Sequence, residues 1–188
     1  MLFRSNEEIA IQKRLETMKI LLKAGVSPNI QDHMGKTALH LFFDHVNLAK
    51  EVVRKYSKIV PQTIRLLQDC GAHLNVEDVN GRTVLHQAAA FGDLETVQVL
   101  LELGANVTSQ DRDGNAPAHV AAKHRNFQVL QYLLDCALHA EFINRHGDTV
   151  LHVAIKANIR EDALLKIAQT LKCKSEEKCK VQIGRAHV

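Results

Sequence analysis

The sequence predicts an all-α solenoid of stacked helix-turn-helix units with short hairpin-like fingers, and three observations carry that prediction. Four segments open alike: Gly35-Lys36-Thr37-Ala38-Leu39-His40, Gly81-Arg82-Thr83-Val84-Leu85-His86, Gly114-Asn115-Ala116-Pro117-Ala118-His119 and Gly147-Asp148-Thr149-Val150-Leu151-His152. The last three start 33 residues apart (114 − 81 and 147 − 114), and a fixed period of this size marks units that bury their apolar faces only by stacking. Leu-rich stretches then close on Gly25, Gly71 and Gly104, which read as left-handed C-caps.

The units follow in order. Residues 1–31 form a partial N-terminal repeat, because Leu15 to Gly25 parallels Leu94 to Gly104 while no Gly-x-Thr-x-Leu-His start precedes it. The repeat at 32–77 is long: Gly35 to Gly81 is 46 residues, 13 beyond the period (46 − 33). That surplus fits at 47–59, where Val46, Val52, Val53, Tyr56, Ile59 and Val60 recur at helical spacing. The 13-residue insert therefore reads as helix, either a solvated extension packed on its own repeat or a docking element. Pro61 suits the first turn of the helix that follows, where its missing N–H costs nothing.

Repeats at 78–110 and 111–143 hold the period, and a C-terminal repeat occupies 144–172. Asn80-Gly81 and Asp113-Gly114 are strong turn dipeptides, consistent with hairpin-like fingers. The repeat at 111–143 departs from its neighbours: Ala116 stands for threonine, Ala118 for leucine and Ala137 for the capping glycine. A leucine-to-alanine gap in a core costs roughly 2–5 kcal/mol unless neighbours fill it. A non-glycine residue kept in the left-handed region adds about 1–2 kcal/mol. This repeat is expected to be the softest. Residues 173–188 form a polar tail, expected to be disordered. Its last six, Ile183-Gly184-Arg185-Ala186-His187-Val188, are what reading ATC GGA AGA GCA CAC GTC TGA would give, followed by a stop. That string resembles a widely used sequencing adapter, so the tail reads as an artefact and the natural chain as continuing past Lys172 with more repeats or another domain.

Asp78 to Gln110 resembles the ankyrin repeat almost residue for residue. Asp78, Gly81, Thr83, Leu85, His86, Ala88, Ala89, Gly92, Leu100, Leu101, Gly104 and Ala105 stand where that family's pattern places them. The resemblance implies that His40, His86, His119 and His152 are structural, holding each turn to neighbouring backbone. A shared metal site is excluded on geometry, since one histidine per repeat leaves them roughly 8–10 Å apart whereas zinc ligands sit at about 2 Å.

Other chemistry is missing from the sequence. Gly35-Lys36-Thr37 mimics the end of a phosphate-binding loop, but Ile30 stands where its first glycine belongs. Asn106-Val107-Thr108 satisfies the glycosylation rule yet sits at a repeat exit. Nothing resembles a nucleophile elbow or a dinucleotide turn. The chain is therefore read as no enzyme, with no cofactor and no metal. No apolar run approaches the roughly 20 residues of a membrane helix. The N-terminus lacks the apolar core of a signal peptide, which points to cytoplasm or nucleus and to no membrane. Cys70 and Cys136 lie two periods apart, beyond disulfide reach. Cys173 and Cys179 lack zinc-knuckle spacing. A net charge of +3 with 4% aromatic residues is no nucleic-acid signature.

The resemblance implies a protein-protein interaction module that uses the concave side formed by fingers and first helices. It selects His33, Met34 and Lys36; Val79, Asn80, Arg82, Ala90 and Phe91; Arg112, Asp113, Asn115, Lys123 and His124; and Arg145, His146, Asp148 and Lys156. Basic side chains outnumber Asp113 and Asp148, which points to an acidic segment on the protein partner. Phe91 is the expected apolar anchor, since aromatics and arginines concentrate binding energy. The array is expected to be monomeric. An alternative makes it the substrate-recruiting part of a larger enzyme complex, such as a ubiquitin-ligase adaptor or a kinase, whose active portion lies outside this sequence.

Overall fold

Each repeat builds its two helices from a short list of local signals, and the 78–110 repeat shows all of them. Thr83 is extended (φ −89, ψ 168) and opens α3, Val84–Phe91, whose Val84, Leu85, Ala88 and Ala89 are buried. Gly92 closes it at φ 88, donating its N–H to Ala88 O. Asp93 then caps α4, Leu94–Glu102, by accepting from Thr96 N. The exit is a paired bond set, Gly104 N to Leu101 O at 3.1 Å and Ala105 N to Leu100 O at 2.9 Å, with Gly104 at φ 92. That set satisfies two helix-end carbonyls and needs a left-handed residue, which glycine supplies without strain.

A computed structural model describes residues 13, 16, 17, 19–48, 59–137 and 142–171. A helical stretch at 19–23 leads into α1, Ala38–Leu48, and α2, Ile59–Asp69. After α3 and α4 come α5, Pro117–Lys123, and α6, Phe127–Cys136, then α7, Val150–Lys156, and α8 at 161–171. First helices form one layer, α1 on α3, α3 on α5 and α5 on α7; second helices form the other, α2 on α4 and α4 on α6. The core runs unbroken between the layers through Phe43, Ile64, Leu85, Leu100, Leu130 and Ala154 to Ile167. No strand occurs among the described residues; one antiparallel bridge joins Ile143 and Thr149.

The long repeat has longer helices, 11 residues in both α1 and α2 against 8 in α3 and 7 in α5. Pro61 falls in the first turn of α2. The insert at 47–59 lies almost wholly outside the described residues. So do Cys173, Cys179 and the polar tail from 173 to 188.

The 111–143 repeat corrects one expectation and adds another site of strain. Ala137 does not keep the left-handed cap; it sits at φ −88, ψ 65 and bonds to Leu133 O. A methyl group makes the left-handed well costly, so the chain exits differently and the penalty expected there is not incurred. Strain falls instead on Arg125, at φ 60, and Asn158, at φ 54. Both stand one and two periods after Gly92 (125 − 92 and 158 − 125), at the tight turn between the two helices. Ala118 is fully buried.

A second difference separates the two halves of the array. Asn29 donates from Nδ2 to Gly71 O at 2.8 Å and accepts from His73 N at 2.7 Å. Asn75 does the same to Gly104 O at 3.1 Å and Asn106 N at 2.8 Å. One period on stands Thr108, whose hydroxyl turns inward to Asn106 Oδ1. Among the described residues the clamp between second-helix exits is made by Asn29 and Asn75.

Candidate interaction surface

Each finger is a four-bond turn organised by its first residue. Asp78 Oδ1 accepts from Asn80 N at 2.8 Å and Arg82 N at 2.9 Å, while Asp78 N donates to Arg82 O at 2.9 Å and Gly81 N to Asp78 O at 2.8 Å. Asp32, Asp111 and Asn144 repeat this in their own fingers. The fingers then join one another by one main-chain bond each: Val79 N to Met34 O at 2.9 Å, Arg112 N to Asn80 O at 2.8 Å and Arg145 N to Asp113 O at 2.9 Å. This approach is close. A Cβ on Gly35 or Gly81 would meet the next finger's backbone at 3.0 Å, so glycine at these turns serves stacking as well as local conformation.

The histidines tie finger to helix and repeat to repeat. His86 Nδ1 accepts from Thr83 N at 3.1 Å and Nε2 lies 3.0 Å from Asn115 O in the following finger. A main-chain N–H aimed at Nδ1 leaves that nitrogen unprotonated, so Nε2 carries the proton and donates. His40 reaches Arg82 O at 3.2 Å and His119 reaches Asp148 O at 3.1 Å in the same way. Burial pushes all three imidazoles below the ordinary histidine range, partly opposed by the accepting carbonyls. His152 holds Thr149 N at 3.2 Å but is exposed, and no following finger meets its Nε2 among the described residues. His40, His86 and His119 therefore point along the stack, each to the next repeat.

On the concave side the fingers and first helices enclose a groove of about 560 Å³. Of the residues selected from sequence, Lys36, Asn80, Arg82, Ala90, Asp113, Asn115, Lys123, His124 and His146 line it. The others do not. His33, Met34, Arg112 and Arg145 are exposed on the fingers, Lys156 is exposed on α7, and Val79 and Asp148 are half-buried. Phe91, the expected apolar anchor, is half-buried against the core and outside the groove. The apolar lining is Ala90, Val120 and Val153. Sequence reasoning missed Asp44, Asp78, Gln87, Asp111, Val120, Asn144 and Val153 as lining residues. The register held the signal: Asp44 follows His40 by four residues, as Ala90, Lys123 and Lys156 follow their histidines (44 − 40, 90 − 86, 123 − 119, 156 − 152).

Charge on this face is more balanced than the basic count implies. Lys36 Nζ sits 2.6 Å from Asp44 Oδ2, and the hydrogen bond raises the lysine's pKa. Lys156 Nζ sits 2.6 Å from Asp148 Oδ2, lowering that carboxyl's pKa. Arg82 Nε is 3.7 Å from Asp111 Oδ2. Asp44 Oδ1 also accepts from Gln87 Nε2 at 2.9 Å, linking two repeats. Lys123, Arg112 and Arg145 have no ion pair among the described residues.

The mimic of a phosphate loop is occupied by this architecture: Thr37 is buried with its hydroxyl on His40 Nδ1, and Lys36 is held by Asp44. Among the described residues no cluster of three metal-ligating side chains occurs, and no helix is long and apolar enough to cross a membrane.

Comparison with known proteins agrees with the stacking. A search of curated proteins found no match. The family model for ankyrin repeats, three copies long, matches residues 8–111 and again 85–182. With finger, histidine and helix-exit bonds recurring in register beneath that match, the chain belongs to the ankyrin-repeat family, whose members are generally protein-protein interaction modules.

Proposed function

We propose that the concave groove takes an extended, acidic segment of a protein partner, with the array acting as a single chain. The observation that supports this reading is the groove itself: fingers and first helices of four successive repeats line it, and the unpaired cations beside it are Arg112, Lys123 and Arg145. Exposed bases near a groove steer and orient an oppositely charged segment. Val120 and Val153 supply the apolar contact that Phe91 does not. Cys70 and Cys136 are free, exposed thiols, which fits a reducing compartment such as cytoplasm or nucleus.

Random peptides displayed on phage and selected on the protein test the reading. Selected sequences should be enriched in Asp and Glu, and the double variant Arg112→Glu/Arg145→Glu should lose most of their binding while keeping its helical circular dichroism. Selected peptides without acidic enrichment, or binding unchanged in that variant, would refute it.

A further inference from the structure

Rows of equivalent positions across the repeats show where this face neutralises itself and where it does not. In the 144–172 repeat, Asp148 on the finger pairs with Lys156 on α7. In the 32–77 repeat the same two positions carry the reversed pair, Lys36 with Asp44. The 78–110 repeat has no charge at the helix position, where Ala90 stands. Two repeats present half a pair: in 78–110 Arg82 stands opposite Ala90 and turns to Asp111 at 3.7 Å, while in 111–143 Lys123 stands opposite Asn115, not an aspartate (148 − 115 and 156 − 123 are both one period of 33).

Of the two carboxylates on the same finger, Asp111 is already committed, and Asp113 makes no ion pair with Lys123. Asp111 Oδ1 accepts two finger N–H groups, and Oδ2 faces Arg82 Nε at 3.7 Å and Asn115 Nδ2 at 3.4 Å. Asn115 is held in turn by Asn144, whose Nδ2 donates to Asn115 Oδ1 at 2.9 Å. Lys123 lines the groove with Val120 and Ala90 and makes no ion pair among the described residues.

We propose that Lys123 is the subsite for one carboxylate side chain of the partner, supplying from outside the pair that Asp148 and Lys156 make internally. This rests on the reading of the groove as a docking site for an acidic segment, and it deepens that reading by naming the residue that sets the segment's register. A cation that gains its counter-charge only on binding contributes to specificity in a way that internally paired Lys36 and Lys156 do not. Neighbouring Val120 and Val153 place an apolar residue of the partner next to the carboxylate.

The molecule contains its own control. Repeat 144–172 carries Asn144 and Asp148 where repeat 111–143 carries Asp111 and Asn115. Asn144 Oδ1 organises its finger at 3.0 and 2.9 Å as Asp111 does at 3.0 and 2.8 Å. The double swap Asp111→Asn/Asn115→Asp therefore keeps net charge and finger geometry while giving Lys123 an internal partner.

Peptides selected on the natural sequence are titrated by fluorescence anisotropy against the natural sequence, the swap and Lys123→Met. Both variants should weaken binding about tenfold, the loss from one charge-assisted contact. Changing one peptide Glu to Gln should cost the same factor with the natural sequence and nothing further with either variant. Unchanged affinity in the swap and in Lys123→Met, or a Glu-to-Gln loss equal in all three proteins, overturns the subsite. Should Arg112→Glu/Arg145→Glu abolish binding while Lys123→Met does not, the groove reading stands and the Lys123 subsite falls. Should neither variant change binding, both fall. Lys123 is exposed, so Lys123→Met keeps the test decisive if the swap impairs folding.

Discussion

Replacing His86 by alanine isolates what the repeated histidine contributes, because His86 and His152 share a register but not a neighbour. In His86→Ala, the Thr83 N–H is left buried without an acceptor, at a cost of about 1–3 kcal/mol. The Asn115 carbonyl fares better, since it keeps Asp111 N at 3.0 Å; losing the second donor costs about 0.5–1.5 kcal/mol. Together the two losses come to about 1.5–4.5 kcal/mol, before any term for the cavity left by a side chain that is 1% exposed. His152→Ala removes only the local bond to Thr149 at an exposed site, worth about 0.5–1 kcal/mol. The difference, about 2 kcal/mol, combines the inter-repeat bond to Asn115 with the cost of leaving the Thr83 N–H buried, and for a chain of this size it separates the two melting temperatures by roughly 4–8 °C. Urea and thermal unfolding followed by circular dichroism measure it directly. Equal destabilisation by the two substitutions would refute the assignment of Nε2 as the bond that joins repeats.

The remaining predictions follow from the same geometry. Acid should destabilise the array: His40, His86 and His119 have lowered folded-state pKa values, so below about pH 6.5 the unfolded chain binds more protons than the folded one. Their contribution is full above that value and is lost as pH falls through the folded pKa values; stability measured from pH 7.5 down to 5 should decline, less steeply in His86→Ala, and a flat profile would contradict the burial argument. Arg125→Gly should stabilise by about 0.5–1 kcal/mol, the left-handed strain at φ 60 relieved less the added freedom of the unfolded chain. Thermal melts decide this, and a lower midpoint would show that the arginine side chain makes a compensating contact.

Much of the architecture was legible because repetition multiplies weak signals. Gly81 alone is a turn residue; Gly35, Gly81, Gly114 and Gly147 in one register, each followed by a histidine, specify a stack. The candidate surface was legible only in part. Residue type and register select Arg82, Lys123 and Asn80, but whether a base is free depends on what faces it. Lys36 and Lys156 are internally paired while Lys123 is not. Phe91 had the chemistry of an anchor and was taken up by the core, because the inter-helix turn at Gly92 directs it inward.

What the sequence determined by itself is the set of local, periodic interactions: turns that require positive φ, caps one residue from each helix, and apolar spacings that close each hairpin. What only the tertiary structure decided is every bond between residues roughly one period apart. These include His86 to Asn115, Asn75 to Gly104 and Gln87 to Asp44. The physical reason is that a local conformation is chosen by a residue's own dihedral and hydrogen-bonding preferences, whereas a bond across repeats depends on two distant groups arriving within about 3 Å in the right orientation. That coincidence is set by the stacking of the helices between them.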